Sequence, residues 1–203
     1  MKQEERTERT KQKIMHAAVK EFGTYGYEGG TIGRISRTGI NKGLIYHNFK
    51  GKDDLYLACL EESCSLLLDQ LKKTVTSDDL PEAARQCMQG RMDFVSLHPR
   101  HAHILFEGLL MPPASLHDEI RSVLKPLEDF NTDLLRRQLA HMTLRDGLTE
   151  DIAIRYFFVV QNAYNMSFAS EKGDLSSIIR KHEEEIPVLI ECMLYGIVKK
   201  ESD

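Results

Sequence analysis

The sequence predicts an all-α protein: an N-terminal three-helix domain of helix-turn-helix form, followed by a larger helical domain. Three observations carry this. Helix formers dominate the 203 residues, only six are proline, and the alternation of strands is scarce. Apolar residues instead recur three and four positions apart almost to the C-terminus. And the segment Thr31–Phe49, TIGRISRTGINKGLIYHNF, reads as two short helices across a tight turn.

Residues 1–9 are charged and polar and read as a frayed arm. Its neighbourhood offers Arg6, Arg9 and Lys11 to a phosphate or a minor groove. The first helix is expected from about Thr10. It buries Ile14, Ala17, Ala18 and Phe22 at i, i+3, i+4 and i+8, until Gly23, Gly26, Gly29 and Gly30 break it. In the motif, Thr31 caps a helix whose Ile32 and Ile35 face inward. Gly39 supplies the turn, and Asn41 caps a second helix whose Ile45 and Phe49 face inward. Lys42, Gly43, Leu44, Tyr46, His47 and Asn48 are left outward, a face suited to the major groove of DNA. Gly51 ends the motif. A long helix then runs from Lys52 through Leu55, Cys59, Leu60, Leu67 and Leu71 to about Thr74, with Asp53 and Asp54 suiting its N-terminus.

Pro81-Glu82 opens a helix to about Leu97, which His98-Pro99 ends. A short helix over His101–Leu110 stops at Met111-Pro112-Pro113. Ser115 is placed to cap a longer helix to about Met142, kinked at Pro126. Gly147 and Thr149 mark the next boundary, and Thr149–Ser170 forms a mostly apolar helix. A loop at Lys172-Gly173-Asp174 precedes the last segment, Leu175 to about Lys199, which Pro187 kinks or divides. Tyr156–Phe168 and Ile186–Val198 are apolar nearly all round, which asks for burial on more than one side.

Composition narrows the function. The net charge of −4 conceals an asymmetry: residues 1–56 hold 11 Lys/Arg against 7 Asp/Glu, and the acidic excess lies in the rest. A positive end on an acidic body suits phosphate contact. No apolar run approaches the length of a membrane span, and no charged-then-apolar leader opens the chain, so a cytoplasmic protein without membrane contact is expected. Cys59, Cys64, Cys87 and Cys192 show no C-x-x-C spacing and read as reduced core thiols. No phosphate-cradling glycine loop, H-E-x-x-H or G-x-S-x-G is present, so an enzyme is not expected, nor any cofactor. Two alternatives stay open. One is a helical ligand-binding protein or enzyme with a vestigial helix-turn-helix. The other is a metal-sensing regulator, because Cys87, His98, His101, His103, Glu107 and His117 carry metal-binding atoms, although in no strong zinc spacing.

The residues around the motif carry a family resemblance. TKQKIMHAAVKEFGTYGYEGGT and KGLIYHNFKGKDDLYLACLE resemble the first helix, the recognition helix and the start of the fourth helix of tetracycline-repressor (TetR) family transcriptional regulators. Lys42, Gly43, Ile45, Tyr46, Phe49, Lys52 and Leu55 fall in place. Leu44 departs from the more usual Thr, Ser or Ala, and Gly30 and Gly33 are unusual. The resemblance implies a DNA-binding domain over residues 8–68, with its motif at about 31–50, and an effector-binding and dimerisation domain over 69–203. It implies a homodimer, paired through the last two helices, on a palindromic double-stranded DNA operator, acting as a repressor until a small-molecule effector releases it. Together with their chemistry, it nominates Thr31, Arg34, Asn41, Lys42, Gly43, Leu44, Tyr46, His47, Asn48 and Lys52 for DNA. For the pocket of an apolar or amphipathic effector it nominates Met88, Met92, His103, Phe106, Leu109, Phe130, Phe158 and Asn162.

Overall fold

In the computed structural model, which describes residues 3–171 and 173–197, the regular elements among the described residues are helices. They are α1 (Gln3–Gly29), α2 (Ile32–Ser36), α3 (Lys42–Asn48), α4 (Lys52–Thr74), α5 (Leu80–Leu97), α6 (Pro99–Leu110), α7 (His117–Leu139), α8 (Glu150–Ser167) and α9 (Leu175–Ile197). Short 3-10 turns lie at Ala114–Leu116 and Phe168–Ser170. The chain forms two compact units. The first holds residues up to Leu66 together with Val95–Leu124, and the second holds Leu67–Phe94 and the chain from Lys125. No described helix is long and apolar enough to cross a membrane.

Several boundaries differ from the sequence reading. Gln3–Arg9, expected as a frayed arm, is helical and continuous with α1. Thr10 sits inside that helix, its hydroxyl donating back to the Arg6 carbonyl at 2.8 Å. The polar composition fails to stop a helix here because Glu, Arg, Lys and Gln are good helix formers. Gly23 stays helical too. The break comes only at Gly26, whose φ of 65° and ψ of −177° lie outside any helix. Ser115 lies within the 3-10 turn rather than capping α7, which starts at His117 and ends at Leu139, short of Met142. Both α7 and α9 run as single helices through Pro126 and Pro187. Of the four thiols, Cys59 and Cys64 are core, Cys87 is half-buried and Cys192 is exposed, which corrects its reading as a core residue. Lys172 lies outside the described residues.

The core of the first unit gathers the predicted stripe of α1 (Ile14, Ala17, Ala18, Phe22) with Ile32, Ile35, Ile45, Phe49, Leu55, Tyr56, Cys59 and Leu60. Phe22 meets Tyr56 edge-to-face at 5.4 Å, and Tyr27 meets Tyr56 at 5.0 Å. At the Gly26 break, α6 supplies a carboxylate. Glu107 accepts the Tyr27 backbone N–H at 2.9 and 3.0 Å and the Tyr56 hydroxyl at 3.0 Å. Gly26 is required on two counts: its φ is positive, and a Cβ there would stand 2.5 Å from Glu107 Oε1. Burial pushes the Glu107 pKa up, and the Tyr27 and Tyr56 hydrogen bonds draw it partly back.

The second unit is organised round a buried ion pair. Arg91 of α5 meets Glu183 of α9 in a two-point contact, Nε to Oε2 at 2.9 Å and Nη2 to Oε1 at 2.5 Å. The ring nitrogens of His182 lie 2.9 Å from Glu183 Oε1 and 2.9 Å from Asn165 Oδ1. Burial alone would raise the Glu183 carboxyl, but the Arg91 charge and hydrogen bonds reverse this and hold it down to about 2. Its contribution to stability is therefore complete above the ordinary carboxylate range near 4.5 and is lost as pH falls toward 2. Beside it, Leu135, Leu139, Ala153 and Ile154 form an apolar cluster flanked by Leu144, Leu148, Phe157 and Phe158.

Two substitution series test these anchors. Glu107→Ala leaves an N–H and an O–H buried without their acceptor and should cost about 2–4 kcal/mol in a urea melt, whereas Glu107→Gln should cost less than half of that. An unchanged midpoint in Glu107→Ala would show that the carboxylate does not hold the break. Arg91→Met strands a buried carboxylate and should cost about 3–5 kcal/mol, and adding Glu183→Leu should recover at least half of the loss. A double variant as unstable as the summed singles would refute the pair as a coupled unit.

Candidate functional site

The helix-turn-helix is assembled by local hydrogen bonds that its sequence encodes. Thr31 Oγ1 caps α2 by accepting from Arg34 N at 3.2 Å, and Asn41 Oδ1 caps α3 by accepting from Gly43 N at 2.7 Å. Between them Gly39 turns the chain at φ 92°, and Ile45 and Phe49 are buried as predicted. A second carboxylate ties α2 to α1: Glu21 Oε1 accepts from Thr31 N at 2.9 Å and from Arg34 Nε at 2.6 Å.

With its apolar side buried, α3 presents Lys42, Gly43, Leu44, Tyr46 and His47 outward; Leu44 is 45% exposed and Tyr46 51%. An exposed Leu and Tyr beside a lysine suit contact with base edges and thymine methyl groups. Lys42 Nζ lies 5.9 Å from the Tyr46 ring centre. From residue 29 to residue 52 the chain carries Arg34, Arg37, Lys42, Lys50 and Lys52 and no acidic residue. The local field is thus positive where the net charge of the chain is negative.

The other nominated positions divide. Thr31 is exposed at the start of α2, and Asn41 is exposed with its side-chain oxygen engaged in the cap. Asn48 is half-buried, its Nδ2 donating to the Leu44 carbonyl at 2.8 Å. Arg34 and Lys52 turn toward their own domain. The Arg34 guanidinium sits between Glu21, the Gly29 carbonyl and the Tyr25 ring, whose centre is 4.3 Å away. Lys52 Nζ lies 4.3 Å over the Tyr27 ring, whose hydroxyl donates to Asp53 at 2.7 Å. Sequence spacing placed these two on the motif but carried no sign of their partners.

Within the second unit lies a cavity of about 70 Å³ between α5, α7, α8 and α9. Cys87, Met88, Arg91, Asn131, Gln138 and Gln161 contribute to its lining alongside aliphatic side chains and Phe157. Of the nominated pocket residues, Met88 lines it. Met92 and Asn162 are exposed, Phe130 is half-buried, and Phe158 packs on the Leu135–Ile154 cluster. His103, Phe106 and Leu109 belong to the first unit, with Phe106 fully buried there. Arg91 and Gln138 escaped the sequence reading because each is a polar residue on an otherwise apolar helical face, a signal that periodicity registers only as noise. Of the metal-bearing side chains singled out above, His101 meets Glu62 at 3.2 Å and Glu107 is engaged with Tyr27 and Tyr56. Among the described residues no group of three such ligands is gathered.

Known proteins share this layout. The family "Bacterial regulatory proteins, tetR family" matches residues 14–59, and "Tetracyclin repressor-like, C-terminal domain" matches residues 78–199. The chain is 26% identical over 176 residues to the HTH-type transcriptional repressor AcnR of Corynebacterium diphtheriae, covering 84% of this chain and 86% of that one. It is 26% identical over 177 residues to the HTH-type transcriptional repressor NicS of Pseudomonas putida, covering 86% and 82%. Among solved structures, the transcriptional regulator FadR of Bacillus subtilis in complex with stearoyl-CoA has the same fold, with a TM-score of 0.63 at 18% identity, over 86% of this chain and 96% of that one. Both halves of the family architecture are therefore matched in one chain, the helix-turn-helix and the helical domain behind it. The chain belongs to the tetracycline-repressor (TetR) family of DNA-binding transcriptional regulators.

Proposed function

We propose that the protein is a repressor that grips a palindromic operator as a homodimer and is released by a small molecule taken into the second unit. The observation that carries the reading is the outer face of α3: Lys42, Leu44, Tyr46 and His47 exposed on a segment without an acidic residue. Lys42 contacts a phosphate, Gly43 allows close approach, and Leu44, Tyr46 and His47 meet base edges and the thymine methyl. Thr31, Asn41 and Asn48 shape the motif and add backbone contacts, while Arg34 and Lys52 position it from within. That AcnR and NicS are named repressors favours repression over activation. An enzyme with a vestigial motif, or a metal sensor, has no comparable support.

Dimerisation follows from an apolar stripe with no described cover. On α8, Ile152, Tyr156, Val159, Ala163 and Met166 are exposed at alternating spacings of four and three, with Val159 61% and Met166 74% exposed. On α9, Val188 and Cys192 are exposed four apart. That spacing is the seam of a helix pair, and such a stripe in water invites a second copy of itself. Two recognition helices about one DNA turn apart, roughly 34–36 Å, then read the two half-sites. α4, α5 and α7 each contribute residues to both units, which gives a ligand in the second a continuous path to the first.

Selection from a random duplex pool should return a palindrome. On that operator, Lys42→Ala should weaken binding uniformly and reduce the slope of log affinity against log salt by about 1, whereas Tyr46→Ala should also relax the base preference. Recovery of nothing above a salt-sensitive background would overturn the reading. Val159→Glu should turn a dimer into a folded monomer in analytical ultracentrifugation and weaken operator binding by about a hundredfold or more. A wild-type monomer in that measurement, or a Val159→Glu dimer, would remove α8 from the interface.

A further inference from the structure

A groove of about 440 Å³ runs between α1 and α4, with His101 of α6 in its wall, and every residue lining it belongs to the first unit. That volume lies in the range of small-molecule sites, roughly 300–1,000 Å³. Its shape follows from register. Residues 8, 12, 15 and 19 share one face of α1, and residues 58, 61, 62 and 65 share one face of α4. Val19 is buried and Met15 and Ala58 are half-buried, which gives the groove a hydrocarbon floor. Ala58 and Ser65 are small, so the α4 side leaves the space unfilled. The recognition face of α3 makes no use of it.

The rim says which guest suits that floor. Glu8, Glu61 and Glu62 stand exposed along it against one ammonium, Lys11. Their oxygens are lightly used. Glu62 Oε1 meets His101 Nε2 at 3.2 Å, Glu8 Oε1 accepts from Gln12 Nε2 at 3.4 Å, and Glu61 has no partner among the described residues. The unit thus separates its charge. Its motif repels a small cation over residues 29–52, where acidic residues are lacking, and its groove attracts one. An anion there would face three carboxylates. No phenyl, phenol or indole ring lines the groove, so a quaternary ammonium, which is recognised by ring faces, finds no cage. A protonated amine brings N–H donors that the free oxygens accept.

We propose that this groove binds an amphipathic primary amine, its ammonium donating to the Glu61 and Glu62 carboxylates and its hydrocarbon chain lying on Met15, Val19 and Ala58. The site is separate from the cavity of the second unit and does not depend on how that cavity is read. Exposed ion pairs each contribute little, so the carboxylates supply selectivity of about fivefold and the floor supplies most of the affinity.

The test uses the full chain with labelled methionine and alanine methyl groups, and four probes on one hydrocarbon chain: hexylammonium, hexyltrimethylammonium, 1-hexanol and hexanoate. In an NMR titration, hexylammonium should move the Met15 and Ala58 methyl signals saturably and leave Met88 of the second unit in place. It should bind about fivefold more tightly than hexanol, with the quaternary ion between the two and hexanoate weakest. Glu61→Gln combined with Glu62→Gln, both at exposed positions, should bring hexylammonium within about twofold of hexanol. Should that variant fail to fold, salt serves instead: raising it about tenfold should erase the preference in the wild-type chain. Equal binding of hexylammonium and hexanol would overturn the proposal, as would a quaternary ion as tight as the primary one. So would a response confined to Met88, no response at Met15, or a preference that survives the double substitution or high salt.

Discussion

The carboxylate of Glu107 is the contact on which the helix-turn-helix support depends. A helix that must stop and restart, as α1 does at Gly26, exposes backbone N–H groups that need acceptors. Glu107 meets one of them, Tyr27 N–H, with both oxygens, and takes the Tyr56 hydroxyl as well. The two tyrosines so fixed pack on each other and on Phe22, and Tyr27 carries the interaction outward to Asp53 at the start of α4. Lys52 rests on the same ring. One acidic residue on α6 thereby sets the end of α1 and the beginning of α4, the two helices that bracket the motif.

The second unit makes a different compromise. Its central polar contact, Arg91 with Glu183, gains little stability over a well-packed apolar pair, because desolvation of both ions offsets most of their attraction. What it does supply is register: a two-point contact aligns α5 and α9 in one arrangement, where aliphatic side chains would tolerate several. It also leaves a cavity lining whose charge is balanced. The first unit uses a carboxylate to satisfy backbone at a break, and the second uses one to neutralise a neighbour.

Much of the motif was legible in the sequence because its determinants are local. Thr31, Gly39 and Asn41 act within a few residues of themselves, and Ile32, Ile35, Ile45 and Phe49 follow helical spacing. α4 was legible end to end for the same reason. The misses share a cause as well. Gln3–Arg9 reads as a frayed arm on polarity, although polarity without Gly or Pro does not oppose a helix. Ser115 had a capping side chain but not the backbone that a cap needs. Glu107 with Tyr27, Glu21 with Arg34 and Arg91 with Glu183 pair residues 80, 13 and 92 positions apart. No periodicity connects such partners, so Arg34 read as an outward base on the motif and Arg91 did not stand out at all. The candidate cavity is harder still, since its lining is drawn from four helices that only the fold brings together.

A small effector needs no large motion to act. A ligand shifts a two-state equilibrium only by its difference in affinity for the two states, commonly about 1–3 kcal/mol. Closely packed helices switch between discrete arrangements rather than deform continuously, so a guest acts by favouring the one that gives it room. α5 and α7 contribute residues to both units, and so does α4, which starts beside Tyr27. On the proposed reading, the second unit selects the state and the helices carry it. Such a selection reaches DNA only through a firmly held recognition helix, and the Glu107 contact braces the two helices that bracket the motif.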